Sequence, residues 1–298
     1  MSEATTITPS APAAAAPLGD RVIIDGTPLD LDEIVDRSFF APKRVAALHE
    51  TFINAKPFPH IVFDGLFSAR LLELMYADFD RLNWSDWRRF DNANEYKRGS
   101  AAKTRLGTAS QLYFNTIYSG QFVDFLEHVT GIEGLITDPE LYAGGLHEIP
   151  TDGKFAMHID FNQHSVTRLD NRLVFITYLN KNWLPAYGGA LRLQNPERDA
   201  PAVEIVPEFG RTALFYQSSK SLHGHPDPVA APDGRPRRSA AAYFYSNGRS
   251  DGEDPNFHTT QFAKIAQATG REKIMNTVKY LLPPVAFDAV RKAKSLLR

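Results

Sequence analysis

Three side chains in the sequence have the types and spacing of a metal site. His158 and Asp160 lie at the end of an apolar run, residues 154–159, that is typical of a β-strand. Positions i and i+2 of a strand project from the same face, so both side chains can reach one ion. His223 follows another predicted strand, residues 212–216. Two imidazoles and one carboxylate on one face of an octahedron leave three positions open, which suits an Fe(II) ion that also binds O₂.

The alternatives at this site are a different metal and further histidines. Zinc accepts the same ligand types, but with three protein ligands it usually keeps only one open position. Iron, which would keep three open positions, is therefore the preferred metal in this prediction. His225 follows His223 and Gly224 and is a rival ligand or an outer-shell group. His147 and His164 flank the predicted metal strand and are candidates for lining the pocket, although a place on the polar surface is the commoner role of such histidines. The chain has no cysteine, which excludes disulfides, thiolate zinc sites, iron–sulfur clusters and a cysteine nucleophile.

A candidate binding group for an organic acid begins the last predicted strand. Arg237 and Ser239 share a strand face and can contact the same ligand, whereas Arg238 faces the other way. A buried guanidinium needs a carboxylate partner, and a bound dicarboxylic acid would supply one through paired hydrogen bonds. Arg235 and Arg238 compete for this role, and strand alternation favours Arg237.

The elements that position these residues are predicted to be short strands. Between residues 141 and 246, apolar runs of roughly five to eight residues alternate with glycine, proline, asparagine and aspartate. No helical pattern separates these runs, which indicates an antiparallel sandwich or barrel enclosing a pocket. Tyr243, Phe244 and Tyr245 are expected in the core of the sheet. The runs cover residues 154–159, 172–179, 189–193, 202–206, 212–216 and 239–245.

Helical patterns occur on both sides of the strand-rich region. Residues 1–19 contain mostly Ala, Pro, Thr and Ser and are expected to form a disordered tail. The folded domain is placed at residues 20–255, and residues 256–298 are predicted to be a helical extension. Within the domain, the patterns predict helices at residues 30–35, 44–53 and 68–75, and a strand at 57–64.

Charge and hydropathy restrict the partners of the protein. The chain has 33 Lys and Arg against 35 Asp and Glu, so no basic field draws it to nucleic acid. No apolar run approaches the roughly 18 residues that span a bilayer, and no secretory signal is evident, so a cytoplasmic location is expected. The basic residues of the extension favour a solvated helix, with a weak membrane-surface or partner contact as the alternative.

Several motifs in a fixed order resemble the Fe(II)/2-oxoglutarate-dependent dioxygenases, and among them the prolyl-4-hydroxylase-like branch. The resemblance extends from about Pro57 to Asn247, which is most of the predicted domain. Each motif is common, but their order is specific. They are PFPHIVFD at residues 57–64, HID at 158–160, YLNKNW at 178–183, GGAL at 188–191, PEFG at 207–210, His223-Gly224 and Arg237-x-Ser239.

This resemblance implies an α+β fold with a double-stranded β-helix, or jelly-roll, core and N-terminal helices packed on it. It implies that Fe(II) is bound by His158, Asp160 and His223. It also implies that Arg237 binds the distal carboxylate of 2-oxoglutarate, with help from the hydroxyl of Tyr178. The expected cofactors are Fe(II), 2-oxoglutarate and O₂, with ascorbate as a candidate reductant.

The implied activity is hydroxylation of an unactivated C–H bond in a small-molecule, glycan or peptidyl substrate, with succinate and CO₂ as co-products. Related halogenases have a small residue in place of Asp160, so the carboxylate favours hydroxylation. The alternative is a cupin-like jelly roll that binds a metal or sugar without redox chemistry and has no need of Arg237 and Tyr178. Residues 84–110 are either a lid over an anionic substrate or a solvated basic loop.

Overall fold

Short antiparallel strands form most of the regular structure. The computed structural model describes residues 20–101 and 104–263. Turn-forming residues separate the strands from residue 145 onwards, as the sequence predicts. In this part of the chain the strands are β1 (Arg21–Ile24), β2 (Thr27–Asp30), β3 (His60–Asp64), β4 (Arg88–Asp91), β5 (Tyr96–Gly99), β6 (Ile136–Thr137), β7 (Gly145–Ile149), β8 (Phe155–Ile159), β9 (Asp170–Tyr178), β10 (Leu191–Gln194), β11 (Val203–Ile205), β12 (Arg211–Tyr216), β13 (Leu222–His225), β14 (Arg237–Ser246) and β15 (Gln261–Phe262).

The helices lie in the N-terminal half of the described chain, apart from two short 3-10 helices. Pro42 starts the first α-helix at a position where its missing N–H is not needed. The α-helices are α1 (Pro42–Asn54), α2 (Ala69–Arg81), α3 (Thr108–Ile117) and α4 (Gly120–Thr130). The 3-10 helices are Leu31–Glu33, Arg37–Phe40, Trp84–Asp86, Pro185–Tyr187 and Pro232–Gly234. None of the helices within residues 20–101 and 104–263 has the length and apolar character needed to cross a bilayer.

The predicted helices at residues 44–53 and 68–75 are confirmed by α1 and α2. The helical pattern at residues 30–35 forms only the 3-10 helix Leu31–Glu33. Its short length explains the difference, because one turn gains too few hydrogen bonds to form a stable α-helix.

Two antiparallel sheets enclose the inner core of the domain. The larger sheet has the strand order β3-β12-β9-β14-β7-β5-β4, with β6 also paired to β14. The smaller sheet has the order β11-β10-β13-β8-β15. This arrangement agrees with the implied jelly-roll core. Phe58 and side chains from both sheets form one apolar cluster. The residues from the sheets are Val174, Tyr178, Leu191, Leu193, Ile205, Ala213 and Phe215.

Strand alternation divides β14 between two environments. Ala240, Ala242 and Phe244 belong to the cluster that contains the helices. Arg237, Ser239, Ala241 and Tyr243 line a cavity between the sheets. One face of the strand therefore packs against the helical layer, and the other directs Arg237 and Ser239 into the cavity.

The helices support the outer face of the larger sheet. The rings of Phe122 on α4 and Phe175 on β9 meet edge to face with centroids 5.6 Å apart. The hydroxyl of Tyr113 on α3 donates to Thr177 Oγ1 at 2.7 Å. This layer agrees with the expectation of N-terminal helices packed on the core and fixes the strands that carry the site.

The helical prediction for residues 256–298 is wrong at Gln261–Phe262, which form β15. Phe262 pairs with His158 on β8, and its ring packs against Phe155 with centroids 6.0 Å apart. Residues 261–262 form a strand because they pair with β8 at the edge of the smaller sheet, and this pairing outweighs the helical preference of the local sequence. The rest of the extension, from residue 264, lies outside the described residues, as does the predicted tail at residues 1–19. The domain bounds stay a prediction.

Candidate active site

His158 and His223 face each other across neighbouring strands of the smaller sheet. They are direct partners in the pairing of β8 with β13, and their ring centroids are 4.4 Å apart. Gly224 allows this close pairing, because a Cβ there would lie 2.7 Å from the carbonyl oxygen of Ala156. Two histidines distant in sequence therefore share one buried location.

Asp160 completes a cluster of three metal-competent side chains. Its Oδ1 lies 3.2 Å from His158 Nε2, and its Oδ2 lies 3.4 Å from His223 Nε2. The candidate ligand atoms all lie within 4.8 Å of one another, and the three residues are buried. Gln217 holds the adjacent backbone by donating from Nε2 to the Asp160 carbonyl at 3.1 Å. These distances would let all three side chains bind one ion.

Hydrogen bonds to the backbone orient both imidazoles. His158 Nδ1 lies 2.7 Å from the carbonyl of Ala156, and His223 Nδ1 lies 2.8 Å from that of Ser221. A carbonyl oxygen only accepts, so each Nδ1 is the donor. In a neutral ring this leaves the lone pair on Nε2, which faces Asp160.

The protonation states suit a divalent cation. Burial alone would raise the pKa of Asp160, but the imidazoles of His223 and His158 hold it well below its usual range. Burial and the nearby His223 lower the pKa of His158. His158 Nε2 is buried without a hydrogen-bond partner in the described chain. A bound cation would satisfy this lone pair and the carboxylate together, so the donor set fits a metal.

Arg237 provides a buried positive charge in the same cavity. Its Nε donates to the carbonyl of Gly189 at 2.7 Å, and the residue is 4% exposed. Within residues 20–101 and 104–263, no carboxylate forms an ion pair with it. Gly189 has φ +69°, a backbone conformation that favours glycine. It also leaves room for the arginine, since a Cβ atom on residue 189 would lie 2.9 Å from Arg237 Cδ. The guanidinium can thus accept an anion from the cavity.

Tyr178 and Ser239 lie beside Arg237. The Arg237 guanidinium carbon is 5.0 Å from the centroid of the Tyr178 ring. The Tyr178 hydroxyl is buried, and no group in the described chain meets the distance and angle criteria for a hydrogen bond with it. Burial raises its pKa, and the charge of Arg237 opposes that rise. Ser239 pairs with Tyr178 across β14 and β9 and lines the cavity.

The competing arginines have other partners. Arg238 donates from Nε to Glu148 and from an Nη to Asp80, both at 3.0 Å, on the opposite face of β14. Arg235 donates to the carbonyl of Lys181 at 3.0 Å. Their positions agree with the choice of Arg237 by alternation.

One cavity of about 620 Å³ contains both groups of residues. His158, Asp160 and His223 line it, as do Arg237 and Ser239. This volume is typical of a pocket for small organic ligands. A metal and an organic acid could therefore bind next to each other in one enclosed space.

Comparison of the sequence with known families supports the resemblance. A model described as the 2OG-Fe(II) oxygenase superfamily matches residues 144–245. This segment contains both histidines, Asp160 and Arg237. The chain is similar to this superfamily over the matched segment. The description of the superfamily names Fe(II) and 2-oxoglutarate, which are the metal and co-substrate expected from the sequence.

Two solved structures with low sequence identity are also similar to this chain. A prolyl-4-hydroxylase from Pseudomonas putida is 17% identical with a TM-score of 0.50, and the match covers 68% of this chain and 100% of the other. A prolyl hydroxylase from Trichoplax adhaerens, in complex with a hypoxia inducible factor peptide fragment, is 15% identical with a TM-score of 0.49 and coverage of 72% and 96%. A comparison with curated proteins finds no match to this chain.

Tyr243 contributes a contact that the sequence did not reveal. Its hydroxyl donates to Asp160 Oδ2 at 3.2 Å, instead of serving only as sheet core. Burial and the charge of Asp160 raise its pKa well above the usual range, which keeps the hydroxyl protonated as a donor. The contact fixes one oxygen of the carboxylate and leaves Oδ1 toward His158.

The substitution Tyr243→Phe is expected to weaken divalent metal binding by about tenfold, because outer hydrogen bonds orient metal ligands. Calorimetric titration with Mn(II) measures the affinity, and the visible spectrum of the Co(II)-loaded protein reports the geometry of the ligands. Tyr245→Phe is the matched control, since its buried hydroxyl has no partner in the described chain. An unchanged Mn(II) affinity and Co(II) spectrum in Tyr243→Phe would contradict a positioning role.

Further polar side chains line the cavity. His147, His164 and His225 all do so, so the expectation of a polar surface for His147 and His164 is wrong. His225 is not part of the three-residue cluster, and its Nδ1 is buried without a partner in the described chain. Lys97 also faces the cavity, and no sequence signal singled it out from the neighbouring basic residues.

The stability of the metal-free protein is expected to fall as the pH falls below about 6.5, partly through His147. Burial, with Lys97 and Arg237 nearby, lowers the pKa of His147 to about 3 from a usual value of 6.5. Between these values the unfolded chain binds a proton that the folded chain does not, so acid favours unfolding. Melting temperatures at about pH 7.5 and about pH 5 should differ less in His147→Gln than in the parent protein. Equal drops in both would show that His147 does not contribute.

Proposed function

We propose that this protein is an Fe(II)- and 2-oxoglutarate-dependent dioxygenase that hydroxylates an unactivated C–H bond. Its primary substrate would be a small molecule, a glycan or a peptidyl group. The observation that carries this proposal is the buried Arg237, which has no carboxylate partner in the described chain and shares a cavity with His158, Asp160 and His223. A metal site alone would not require a buried, unpaired guanidinium.

In this proposal His158, Asp160 and His223 would hold Fe(II), and Arg237, with Tyr178 and Ser239, would bind the distal carboxylate of 2-oxoglutarate. The bound iron and 2-oxoglutarate would supply the oxidising power: the substrate C–H and O₂ become C–OH, while 2-oxoglutarate becomes succinate and CO₂. The protein's own contribution is to hold both reactants in a fixed geometry.

Each side chain has a definite task in this arrangement. Asp160 would fill one ligand position with its carboxylate, which the small residue of a halogenase would leave vacant. The Arg237 fork would align the organic acid through two hydrogen bonds, and the Tyr178 hydroxyl would contribute one more. The apolar walls from Val174 and Ile176 on β9 would keep water from the reacting groups.

The alternative is a jelly-roll protein that binds a metal without redox chemistry. The same three ligands would bind zinc, but the unpaired Arg237 would then have no purpose. This alternative predicts tightly bound zinc and no turnover of 2-oxoglutarate.

Release of succinate from 2-oxoglutarate tests the proposal directly. The purified protein is incubated with Fe(II), O₂ and ascorbate, first alone and then with pooled candidate substrates. We expect slow succinate formation that depends on Fe(II), and a mass gain of one oxygen in the true substrate. Tightly bound zinc with no succinate under any condition would overturn the proposal in favour of the binding protein.

A further inference from the structure

Lys97 is a second buried cation in the cavity, and the proposed metal and co-substrate sites do not use it. Its ammonium lies 3.4 Å from the centroid of the Phe155 ring, and its side chain is 13% exposed. The Phe155 ring in turn packs against the His158 ring with centroids 3.9 Å apart and a tilt of 33° between the ring planes. The charge of Lys97 is therefore separated from a candidate metal ligand by one aromatic ring.

The register of the larger sheet places Lys97 and Arg237 on the same face. Gly99 on β5 and Ser239 on β14 both pair with His147 on β7. Residues two apart on a strand share a face, so Lys97 and Arg237 lie on one face of the sheet, with β7 between their strands. Two strand spacings put their backbones about 10 Å apart. Both charges also act on His147 and His225, whose pKa values are lowered mainly by burial and further by these two cations. The two cations thus border one part of the cavity.

The protein supplies only partial compensation for the charge of Lys97. Glu95 Oε2 lies 3.3 Å from Lys97 Nζ. Burial nevertheless lowers the pKa of Lys97, although Glu95 and Asp160 both oppose that change. The free-energy cost of burying the ammonium at this position is larger than the stabilisation that its one carboxylate partner provides. An additional anion in the cavity would restore the balance.

We propose that Lys97 is a second carboxylate-binding group of this cavity, distinct from Arg237, and that it binds a carboxylate adjacent to the metal site. The inference rests on the proposed function. Two molecules could supply that carboxylate. One is the 2-oxo acid, through the carboxylate next to its keto group, and the other is an acidic primary substrate.

The first arm of the test uses two 2-oxo acids and redox-inactive Zn(II). Calorimetry measures the affinity of the Zn(II)-loaded protein for 2-oxoglutarate and for 2-oxopentanoate, which lacks the distal carboxylate. If the 2-oxo acid is the source, Lys97→Met lowers both affinities by at least about tenfold and Lys97→Arg restores part of the loss. Lys181→Met is the matched control, since that lysine pairs with Glu73 on the surface and is 47% exposed.

The second arm tests an acidic primary substrate. The Zn(II)- and 2-oxoglutarate-loaded protein is titrated with L-amino acids, each as the free acid and as the primary amide, so that the two members of each pair differ only in the carboxylate. If the substrate is the source, Lys97→Met leaves both 2-oxo acids bound as before and abolishes a preference for acid over amide. Glu95→Gln should tighten binding in whichever arm responds, because it removes the competing carboxylate.

Three results would overturn the inference. They are unchanged affinities for both 2-oxo acids in Lys97→Met together with no acid preference in the parent protein, a loss confined to 2-oxoglutarate, or weaker binding in Glu95→Gln. A loss confined to 2-oxoglutarate would mean that Lys97 only assists Arg237 at the distal carboxylate. Failure of the Zn(II)-loaded parent protein to bind either 2-oxo acid would instead count against the proposed function.

Discussion

The substitution His158→Ala is expected to weaken divalent metal binding by at least about a hundredfold and to remove 2-oxoglutarate turnover, because it deletes one of three ligands. The remaining pair, Asp160 and His223, offers two ligand atoms that lie 3.4 Å apart. The fold should be retained, since β8 keeps its backbone pairing with β13 and β15. Calorimetry with Mn(II) measures the affinity, and circular dichroism checks the fold.

His128→Ala is a suitable control for this prediction. His128 is exposed on α4, pairs with Asp124 and is absent from the lining of the cavity. The control should bind Mn(II) like the parent protein. His223→Ala, which removes a ligand from the other strand, should reproduce the loss. Tight Mn(II) binding in a folded His158→Ala protein would contradict the metal assignment.

The substitution Arg237→Met is expected to lower the affinity for 2-oxoglutarate by at least about a hundredfold, since a buried fork of two charge-assisted hydrogen bonds is lost. The affinity for 2-oxopentanoate should stay almost unchanged, because that acid lacks the distal carboxylate. Arg237→Lys should recover only part of the binding, as one ammonium cannot reproduce the planar fork. Calorimetry on the Zn(II)-loaded protein measures all three effects.

The neighbouring Arg235 provides the control for position and charge. It donates to the carbonyl of Lys181 and is absent from the lining of the cavity. Arg235→Met should leave both affinities unchanged. Equal losses for 2-oxoglutarate and 2-oxopentanoate in Arg237→Met would show that the arginine acts on the metal end or on the fold, and would contradict its role at the distal carboxylate.

The site residues were predictable where strand periodicity and chemistry pointed to the same positions. His158 and Asp160 had to share a face at the end of an apolar run, and Arg237 had to face away from Arg238 on a strand buried on both sides. The choice of His223 over His225 depended on the family resemblance. The structure groups His223 with the pair, while His225 lines the cavity nearby.

Residues whose roles depend on contacts between sheets were not predictable. The sequence predicts that Tyr243 belongs to the core of the sheet. Only the packing of the two sheets brings its hydroxyl to Asp160. Lys97 lies in a basic stretch that resembles a solvated loop, but residues 88–99 form the hairpin β4–β5 at the edge of the larger sheet. Short polar edge strands lack the apolar alternation that makes a strand recognisable.

The most direct test of the central claim is the anomalous diffraction of crystals grown with Mn(II) and 2-oxoglutarate. We expect one manganese peak bonded to His158 Nε2, His223 Nε2 and a carboxylate oxygen of Asp160, with the distal carboxylate of 2-oxoglutarate on the Arg237 guanidinium. A manganese ion bound by other residues, or a distal carboxylate directed away from Arg237, would contradict the account.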